Sequence, residues 1–181
     1  MNKKQDIIQA AERLFYLNGL HATSTDKICN ESGVSTRTLY RYFPSRDALT
    51  MEILDTRLKR FFSGLYPPEH PDSISQLFDF MGRWMEEYGV KGCLFLKVWG
   101  EYAEESPALA EHAMSYRHAI RAYISECISH VCGRENIPLS DAIWTLFEGT
   151  LTTALLMGAI PACDAAKKAA LMLIDSSERY E

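Results

Sequence analysis

Residues 33–49 read GVSTRTLYRYFPSRDAL, and this stretch decides how the N-terminal part of the chain folds. Gly33 can end a preceding short helix, and Ser35 is a good N-cap for a new one. The pattern therefore predicts a short helix from Thr36 to Tyr42 that stops before Phe43-Pro44. Isolated helices shorter than about 12 residues are marginal in water, so this helix needs support from its neighbours.

Three neighbouring segments are predicted to be helices that supply this support. Apolar residues recur at three- and four-residue spacing between Ile7 and Phe15, and Asn18-Gly19 can end that helix. Thr23 resembles the start of a capping box and predicts a second helix that runs to about Glu31. A further helix is predicted from Ser45 to about Phe62. The two short helices and the turn between them have the spacing of a helix-turn-helix DNA reader.

The short helix offers polar side chains, since Leu39 is its one aliphatic residue. Hydroxyl, guanidinium and phenol groups contact phosphates and base edges. A solvated surface helix is the ordinary alternative, and the flanking helices favour DNA recognition. Thr36 and Arg37 are expected to face base edges, with Arg41 as a second candidate, whereas residues at helix starts and flanks are expected to meet phosphates. The predicted DNA contacts are Ser24, Thr25, Thr36, Arg37, Thr38, Tyr40, Arg41, Tyr42 and Arg46.

The first sixty or so residues resemble the DNA-binding domain of the tetracycline-repressor-like (TetR) family of bacterial regulators. Two positions depart from the family pattern: Cys29 stands where the family usually has alanine, and Arg46 replaces the more common lysine. Either cation can meet a phosphate, although arginine does so with a planar fork. The residues that carry the resemblance are Thr23, Ser24, Ile28, Gly33, Val34, Ser35, Leu39, Tyr40, Tyr42, Phe43, Arg46, Ala48 and Leu49.

The resemblance implies an all-α chain of two domains. An N-terminal three-helix helix-turn-helix DNA-binding domain would occupy residues 1–62. A C-terminal helical ligand-binding and dimerisation domain would occupy residues 73–181, after a proline-rich linker at residues 66–72. The partners implied are a double-stranded DNA operator, a small ligand and a second copy of the chain.

The charge distribution agrees with this division. The whole chain of 181 residues has a formal net charge of −5. Residues 1–62 hold ten Lys/Arg and seven Asp/Glu, whereas the remainder holds nine and seventeen. A DNA-binding head on an acidic body should show such asymmetry. The head is only mildly basic, so specific contacts and dimerisation must supply much of the affinity.

The rest of the sequence predicts helices and no sheet, because no segment shows sustained period-two alternation. No apolar run reaches the ~18 residues that span a bilayer, and no signal-peptide core follows the N-terminus. Five cysteines form no framework spacing, so we expect a reducing, cytoplasmic setting and no membrane partner. The predicted helices cover residues 73–88, 93–104, 107–132, 140–158 and 162–176.

The last two predicted helices are candidates for a dimer interface. The first of them is apolar on more than one face, and the second carries a face of small residues that permits close helix approach. Internal packing alone would also explain this pattern. The family resemblance favours a two-fold four-helix interface, because such regulators generally dimerise through their last two helices. The candidate interface residues are Leu151, Leu155, Ala166, Ala170 and Leu173.

Aromatic residues in the middle of the chain are candidates for a ligand pocket, since all three tryptophans fall within residues 84–144. Aromatic walls with one or two polar anchors are typical of small-molecule sites. For each aromatic residue the ordinary alternative is plain core, and for each glutamate it is a solvated carboxylate. The pattern favours a small aromatic or amphipathic ligand, and the candidates are Trp84, Tyr88, Trp99, Glu101, Tyr123, Trp144 and Glu148.

The remaining chemistry points to no metal, no cofactor and no catalysis. Cys127 and His130 share a helical face and Cys132 follows, but a structural zinc site needs four ligands and no second pair stands at ligand spacing. Thiol sensing by Cys93 or Cys127 stays open. The chain lacks a glycine-rich phosphate loop, a GxSxG elbow and an HExxH helix. We therefore expect a repressor released from its operator by a small molecule, with a thiol- or metal-responsive regulator of the same fold, a helical enzyme or an interaction module as alternatives.

Overall fold

The chain is all-α in a computed structural model that describes residues 2–178. Over these residues it forms nine helices and no strand, which confirms the predicted fold class. None of these helices is both long and apolar enough to cross a membrane. The helices are α1 (Lys3–Asn18), α2 (Thr25–Ser32), α3 (Thr36–Tyr42), α4 (Arg46–Phe62), α5 (Ser73–Tyr88), α6 (Leu94–Tyr102), α7 (Pro107–Cys132), α8 (Ile137–Met157) and α9 (Ala159–Glu178).

The contacts divide the chain into two compact units. The first unit contains the residues up to 61 together with residues 93–116, and the second contains residues 62–92 and the chain from 117 onward. The sequence placed α6 and the start of α7 in the second domain, whereas in the structure they group with α1–α4. The functional boundary at residue 62 therefore stays a prediction, and the predicted end at residue 181 lies outside the described residues.

The first unit is built on the packing of α1 against α2 and α3. Phe15 from α1 and Ile28 from α2 are almost fully buried in its core. The short helix α3 contributes Leu39, and Phe43 directly after it is buried as well. Two adjacent anchors thus hold α3 in place, since a helix of seven residues is too short to be stable alone.

The start of α2 differs from the prediction. Ser24, not Thr23, is the N-cap, and its hydroxyl accepts a hydrogen bond from the N–H of Lys27 at 3.2 Å. Thr23 is buried, and its hydroxyl donates to the carbonyl oxygen of Gly19 at 2.8 Å. The threonine therefore closes the α1–α2 loop, and the capping box predicted from it was wrong.

The start of α8 also differs from the prediction. Asn136 is the N-cap and accepts from the N–H of Leu139 at 3.2 Å, so α8 begins three residues before Ser140. Pro138 lies before the helix predicted over residues 140–158, but in the structure it occupies the first turn of α8. Proline is tolerated there because the N–H it lacks would have no partner within the helix.

The segment predicted to be a linker is tied to the second unit. The side chain of Gln76 on α5 donates to the carbonyl of Gly64 at 2.8 Å and accepts from the N–H of Tyr66 at 3.1 Å. A Cβ on Gly64 would lie 2.2 Å from the ring of Phe80, so only glycine allows this approach. The segment that follows α4 is therefore fixed against α5 by specific contacts.

Helix α9 packs on α5 and α8 through its small residues. A Cβ on Gly82 of α5 would lie 3.0 Å from the side chain of Ile160 and 3.5 Å from that of Cys163. Ala166 and Ala170 are buried within this packing. These two alanines were predicted to form the dimer interface, which stays a prediction, and Ala166 also lines a groove between α8 and α9.

A buried carboxylate ties α1 to α4 in the first unit. Glu12 accepts from Arg57 at 2.6 Å and from Arg60 at 3.0 Å, and the side chains of Glu12 and Arg57 are each 8% exposed. The Arg57 guanidinium also lies over the ring of Tyr16. Buried charges persist only when they are paired and hydrogen-bonded, and both conditions hold here.

We predict that Glu12→Gln destabilises the first unit by about 3–5 kcal/mol, because Arg57 would lose its charged partner in a buried setting. Glu31→Gln is the matched control, since Glu31 pairs with Arg13 at the surface and such pairs contribute about 0–1 kcal/mol. Urea unfolding followed by circular dichroism measures both. Equal midpoints for the two variants would contradict the assignment.

Candidate functional site

The α2–α3 turn presents α3 as an exposed helix with both ends fixed. Gly33 has a φ of +64°, a left-handed conformation that favours glycine and lets the chain leave α2 sharply. The Ser35 hydroxyl then accepts from the N–H of Thr38 at 3.2 Å, as the sequence predicted for the N-cap of α3. The helix is therefore held by its cap at one end and by buried Phe43 at the other.

One face of α3 consists of exposed polar side chains. Thr36, Arg37, Tyr40 and Arg41 are all exposed, and their positions along the helix place them on a single strip. Tyr40 is 49% exposed, so this large aromatic side chain is not part of the core. The strip can offer two guanidinium groups, a phenol and a hydroxyl to a duplex, which is the chemistry of base-edge and phosphate contacts.

The other residues predicted to contact DNA differ in their exposure and in the contacts that they already make. Tyr42 is 38% exposed, and the guanidinium of Arg41 lies 5.1 Å from its ring. The Thr38 hydroxyl is 3.0 Å from that of Ser35 and is half-buried, so it is already engaged in the helix cap. Ser24 is exposed at the start of α2 beside half-buried Thr25, where an anion would be favoured by the helix N-terminus.

Arg46 was predicted to contact phosphate, and the structure gives it a role inside the unit. Its guanidinium donates to the carbonyl oxygens of Leu20 and Thr23, the latter at 2.7 Å. It also lies 4.9 Å from the centre of the Phe15 ring. A cation held in this way fixes the loop between α1 and α2. The phosphate contact stays a prediction that this geometry does not favour.

The seven candidate ligand residues do not form one cluster. In the first unit Trp99 is 46% exposed, and Glu101 accepts hydrogen bonds from the backbone of the α1–α2 loop. In the second unit Trp84 and Tyr88 lie 4.3 Å apart on α5. The Tyr123 hydroxyl donates to the carbonyl of Tyr66 at 2.8 Å, and burial raises the pKa of Tyr123.

Trp144 and Glu148 are brought together on α8, one turn apart and facing α7. Glu148 pairs with Arg117 of α7, and the guanidinium of Arg121 lies 5.7 Å from the Trp144 ring. Burial raises the pKa of the Glu148 carboxyl, although the nearby Arg117 opposes this shift. We name Arg117, Arg121, Trp144 and Glu148 the α7–α8 seam. Sequence reasoning missed Arg117, whose partner lies 31 residues away.

Three polar atoms of the α7–α8 seam are buried without a hydrogen-bond partner among the described residues. They are Nη1 of Arg117, Nε1 of Trp144 and Oε1 of Glu148. Buried polar atoms are rarely left unsatisfied, because each costs about 1–3 kcal/mol. Two donors and one acceptor are thus left without a partner at the α7–α8 seam.

The candidate interface residues divide between the inside and the outside of the second unit. Ala166 and Ala170 are internal, Leu151 is half-buried, and Leu155 and Leu173 are 55% and 40% exposed. Further exposed apolar side chains accompany them at the end of α8 and on α9. They form two separate exposed apolar groups, one at the end of α8 (Leu155, Leu156 and Met157) and one further along α9 (Leu171, Met172 and Leu173).

The cysteines offer little support for metal or thiol chemistry. In the described part of the chain, no group of three or more His, Cys, Asp or Glu is placed to hold a metal ion. Cys127 is completely buried, and burial raises the pKa of its thiol. A buried thiol with a raised pKa is a poor nucleophile, because the thiolate is the reactive form. Cys93, the other candidate, is half-buried beside the start of α6.

Residues 7–53 match the family described as bacterial regulatory proteins, tetR family. The chain is 38% identical over 52 residues to the uncharacterised HTH-type transcriptional regulator YxaF of Bacillus subtilis, covering 28% of this chain and 27% of that protein. It is 32% identical over 63 residues to the HTH-type transcriptional regulator EthR of Mycolicibacterium smegmatis, covering 35% and 29% respectively. The sequence likeness to both regulators thus spans less than a third of their length.

The whole fold is similar to that of solved regulators. The TetR-family transcriptional regulator SCO4454 from Streptomyces coelicolor superposes with a TM-score of 0.86 at 18% identity, covering 96% of this chain and 95% of that one. The reduced form of E. coli NemR superposes with a TM-score of 0.78 at 13% identity, covering 96% and 98%. These likenesses concern the fold, and the N-terminal match concerns the sequence. Together they show that residues 7–53 resemble the tetR family of bacterial regulatory proteins and that the chain shares the fold of solved regulators.

Proposed function

We propose that this chain is a dimeric DNA-binding transcriptional regulator of the cytoplasm, a repressor that a small molecule releases from its operator. The observation that carries the DNA-binding part is the exposed polar strip of α3, held between the Ser35 cap and buried Phe43. A helix presented in this way can enter a major groove with its first residues toward the base edges. The match of residues 7–53 to a family of bacterial regulatory proteins supports this reading over catalysis.

Arg37 is proposed as the principal base reader, because it is exposed at the start of α3. Arg37→Ala should cost about 1–3 kcal/mol of operator binding and relax the preference at one base pair. Selection of duplexes from a random library, with wild type and variant in parallel, measures both effects. An unchanged sequence preference in the variant would show that another residue reads the base.

Arg46→Ala separates phosphate contact from loop positioning in the same assay. Loss of a phosphate contact would flatten the salt dependence of binding by about one unit. Because the Arg46 guanidinium is engaged with Leu20 and Thr23, we expect weaker binding with the salt dependence unchanged. Arg41→Ala is the matched comparison, since Arg41 is exposed and is expected to flatten that dependence.

The dimer is proposed to form through the two exposed apolar groups, at the end of α8 and on α9. A groove between these helices is lined by Gly149, Thr153, Ala165 and Ala166, whose small side chains allow a helix to approach closely. Large exposed apolar patches commonly mark the sites where proteins bind one another. The two-fold partner would place two copies of α3 on successive major grooves, about 34–36 Å apart.

Leu155→Arg should convert the protein to a folded monomer, because an unpaired charge in a buried interface is strongly unfavourable. Ile137→Arg is the matched control, since Ile137 lies on the same helix, is 53% exposed and is outside both apolar groups. Light scattering measures the mass, and circular dichroism checks the helix content. A Leu155→Arg protein that remains a dimer would place the interface elsewhere.

The ligand is proposed to bind at the α7–α8 seam, where two donors and one acceptor lack partners. The indole of Trp144 supplies an aromatic wall, which supports an aromatic or amphipathic molecule with polar groups. A multidrug-binding protein of similar fold, EbrR, has been solved with malachite green, at a TM-score of 0.67 and 18% identity. Release from DNA requires that the ligand bind the DNA-incompetent state more tightly.

A screen of aromatic and amphipathic compounds should yield one that quenches tryptophan fluorescence and lowers operator affinity together. Trp144→Phe keeps a ring but removes the Nε1 donor. It should therefore weaken binding of that compound by about 1 kcal/mol, roughly fivefold. Trp99→Phe is the control, because Trp99 is exposed in the other unit. Equal losses from the two variants would contradict a site at the seam.

A further inference from the structure

The loop between α1 and α2 receives a carboxylate from a distant part of the chain. Glu101 of α6 accepts a hydrogen bond from the N–H of Leu20 at 2.9 Å with one oxygen, and from the N–H of His21 at 2.6 Å with the other. Hydrogen bonds to an ionised acceptor are shorter and about twice as strong as neutral ones. Both oxygens of the carboxylate are thus occupied by backbone donors about eighty residues away.

Further contacts join α6 to the same region of the first unit. Lys97, one turn before Glu101, donates to the carbonyl of Tyr16 at 2.7 Å. The ring of His21 stacks on Tyr102 with centroids 4.9 Å apart, and its Nε2 lies 3.0 Å from the Glu101 carbonyl. The end of α1 and the loop after it are therefore held along two consecutive turns of α6.

The approach of the carboxylate depends on a glycine. Gly19 has a φ of +91°, and a Cβ placed on it would lie 3.1 Å from Oε1 of Glu101. From the other side of the loop, Arg46 donates to the carbonyls of Leu20 and Thr23. The N–H groups of the loop are thus held by an anion and its carbonyls by a cation.

The loop leads directly into α2, whose N-cap is Ser24. Helix α2 has eight residues and α3 has seven, so neither helix can define its own orientation. We propose that Glu101 is a positioning residue for DNA binding: it fixes the α1–α2 loop and, through it, the orientation of α2 and α3. This inference rests on the proposed DNA-binding function and adds to it a residue that contacts no DNA.

The expected effect follows from the fraction of molecules that are competent to bind. Apparent affinity falls in proportion to that fraction, so a loop that is correctly placed one-tenth of the time weakens binding about tenfold. Glu101→Ala removes both acceptors, so its operator affinity should fall by up to about tenfold. Glu101→Gln keeps one acceptor oxygen, so its operator affinity should lie between that of Glu101→Ala and that of wild type.

The experiment uses the full chain and a duplex selected by the wild-type protein from a random library. Glu104→Gln is the matched control, because Glu104 is an exposed carboxylate at the end of the same segment and the charge change is equal to that of Glu101→Gln. We expect the control to bind within twofold of wild type. Hydrogen exchange supplies the second readout: amides of Leu20, His21 and α3 should lose protection in Glu101→Ala, whereas those of α8 should keep it.

Three results would overturn the inference, and they are distinguishable. Wild-type affinity in Glu101→Ala would show that the loop contact does not position α3. Equal loss of protection in both units, for both Glu101 variants, would make the residue a general stabiliser. Failure of the wild-type protein to select any sequence would refute the proposed DNA-binding function itself, and this inference with it.

Discussion

In the first unit, the peptide groups of the α1–α2 loop are held by two oppositely charged side chains from separate helices. Arg46 donates to two carbonyls and Glu101 accepts from two N–H groups, so these four polar groups of the loop have charged partners. The backbone groups of this loop have no helix or sheet ladder to pair with, so those that are buried need other partners. Helices α2 and α3 are too short to stand alone, and their placement depends on this arrangement.

The same principle operates between α1 and α4, where Glu12 is shared by Arg57 and Arg60. Ion pairs and charged hydrogen bonds thus connect the elements of the first unit at several points. Such contacts are directional, so they specify one arrangement of helices where apolar packing alone would tolerate several. The second unit is organised differently, since α9 is seated on α5 and α8 largely by small apolar side chains that allow close approach.

Local signals in the sequence were sufficient to predict where α3 begins and ends. The Ser35 cap and the Phe43-Pro44 break lie next to the helix they delimit, and the bounds of α3 were predicted correctly. The roles of Arg46 and Glu101 could not be predicted, because each is decided by partners 23 to 81 residues away. Thr23 failed for a different reason: a threonine hydroxyl before a helix can cap it or can donate to a nearby carbonyl, and here it donates to that of Gly19.

The small residues of the last two helices are compatible with more than one kind of contact. Small residues permit close approach whether the neighbouring helix belongs to the same chain or to another, so Ala166 and Ala170 carry no information about which one it is. In the structure these alanines are buried, whereas Leu155 and Leu173 are exposed. A helix that is apolar on more than one face has more than one stripe to bury, and here one stripe is buried inside the chain. Because the two stripes are separate, a charge on the outer one can disrupt association while the internal packing of the unit remains.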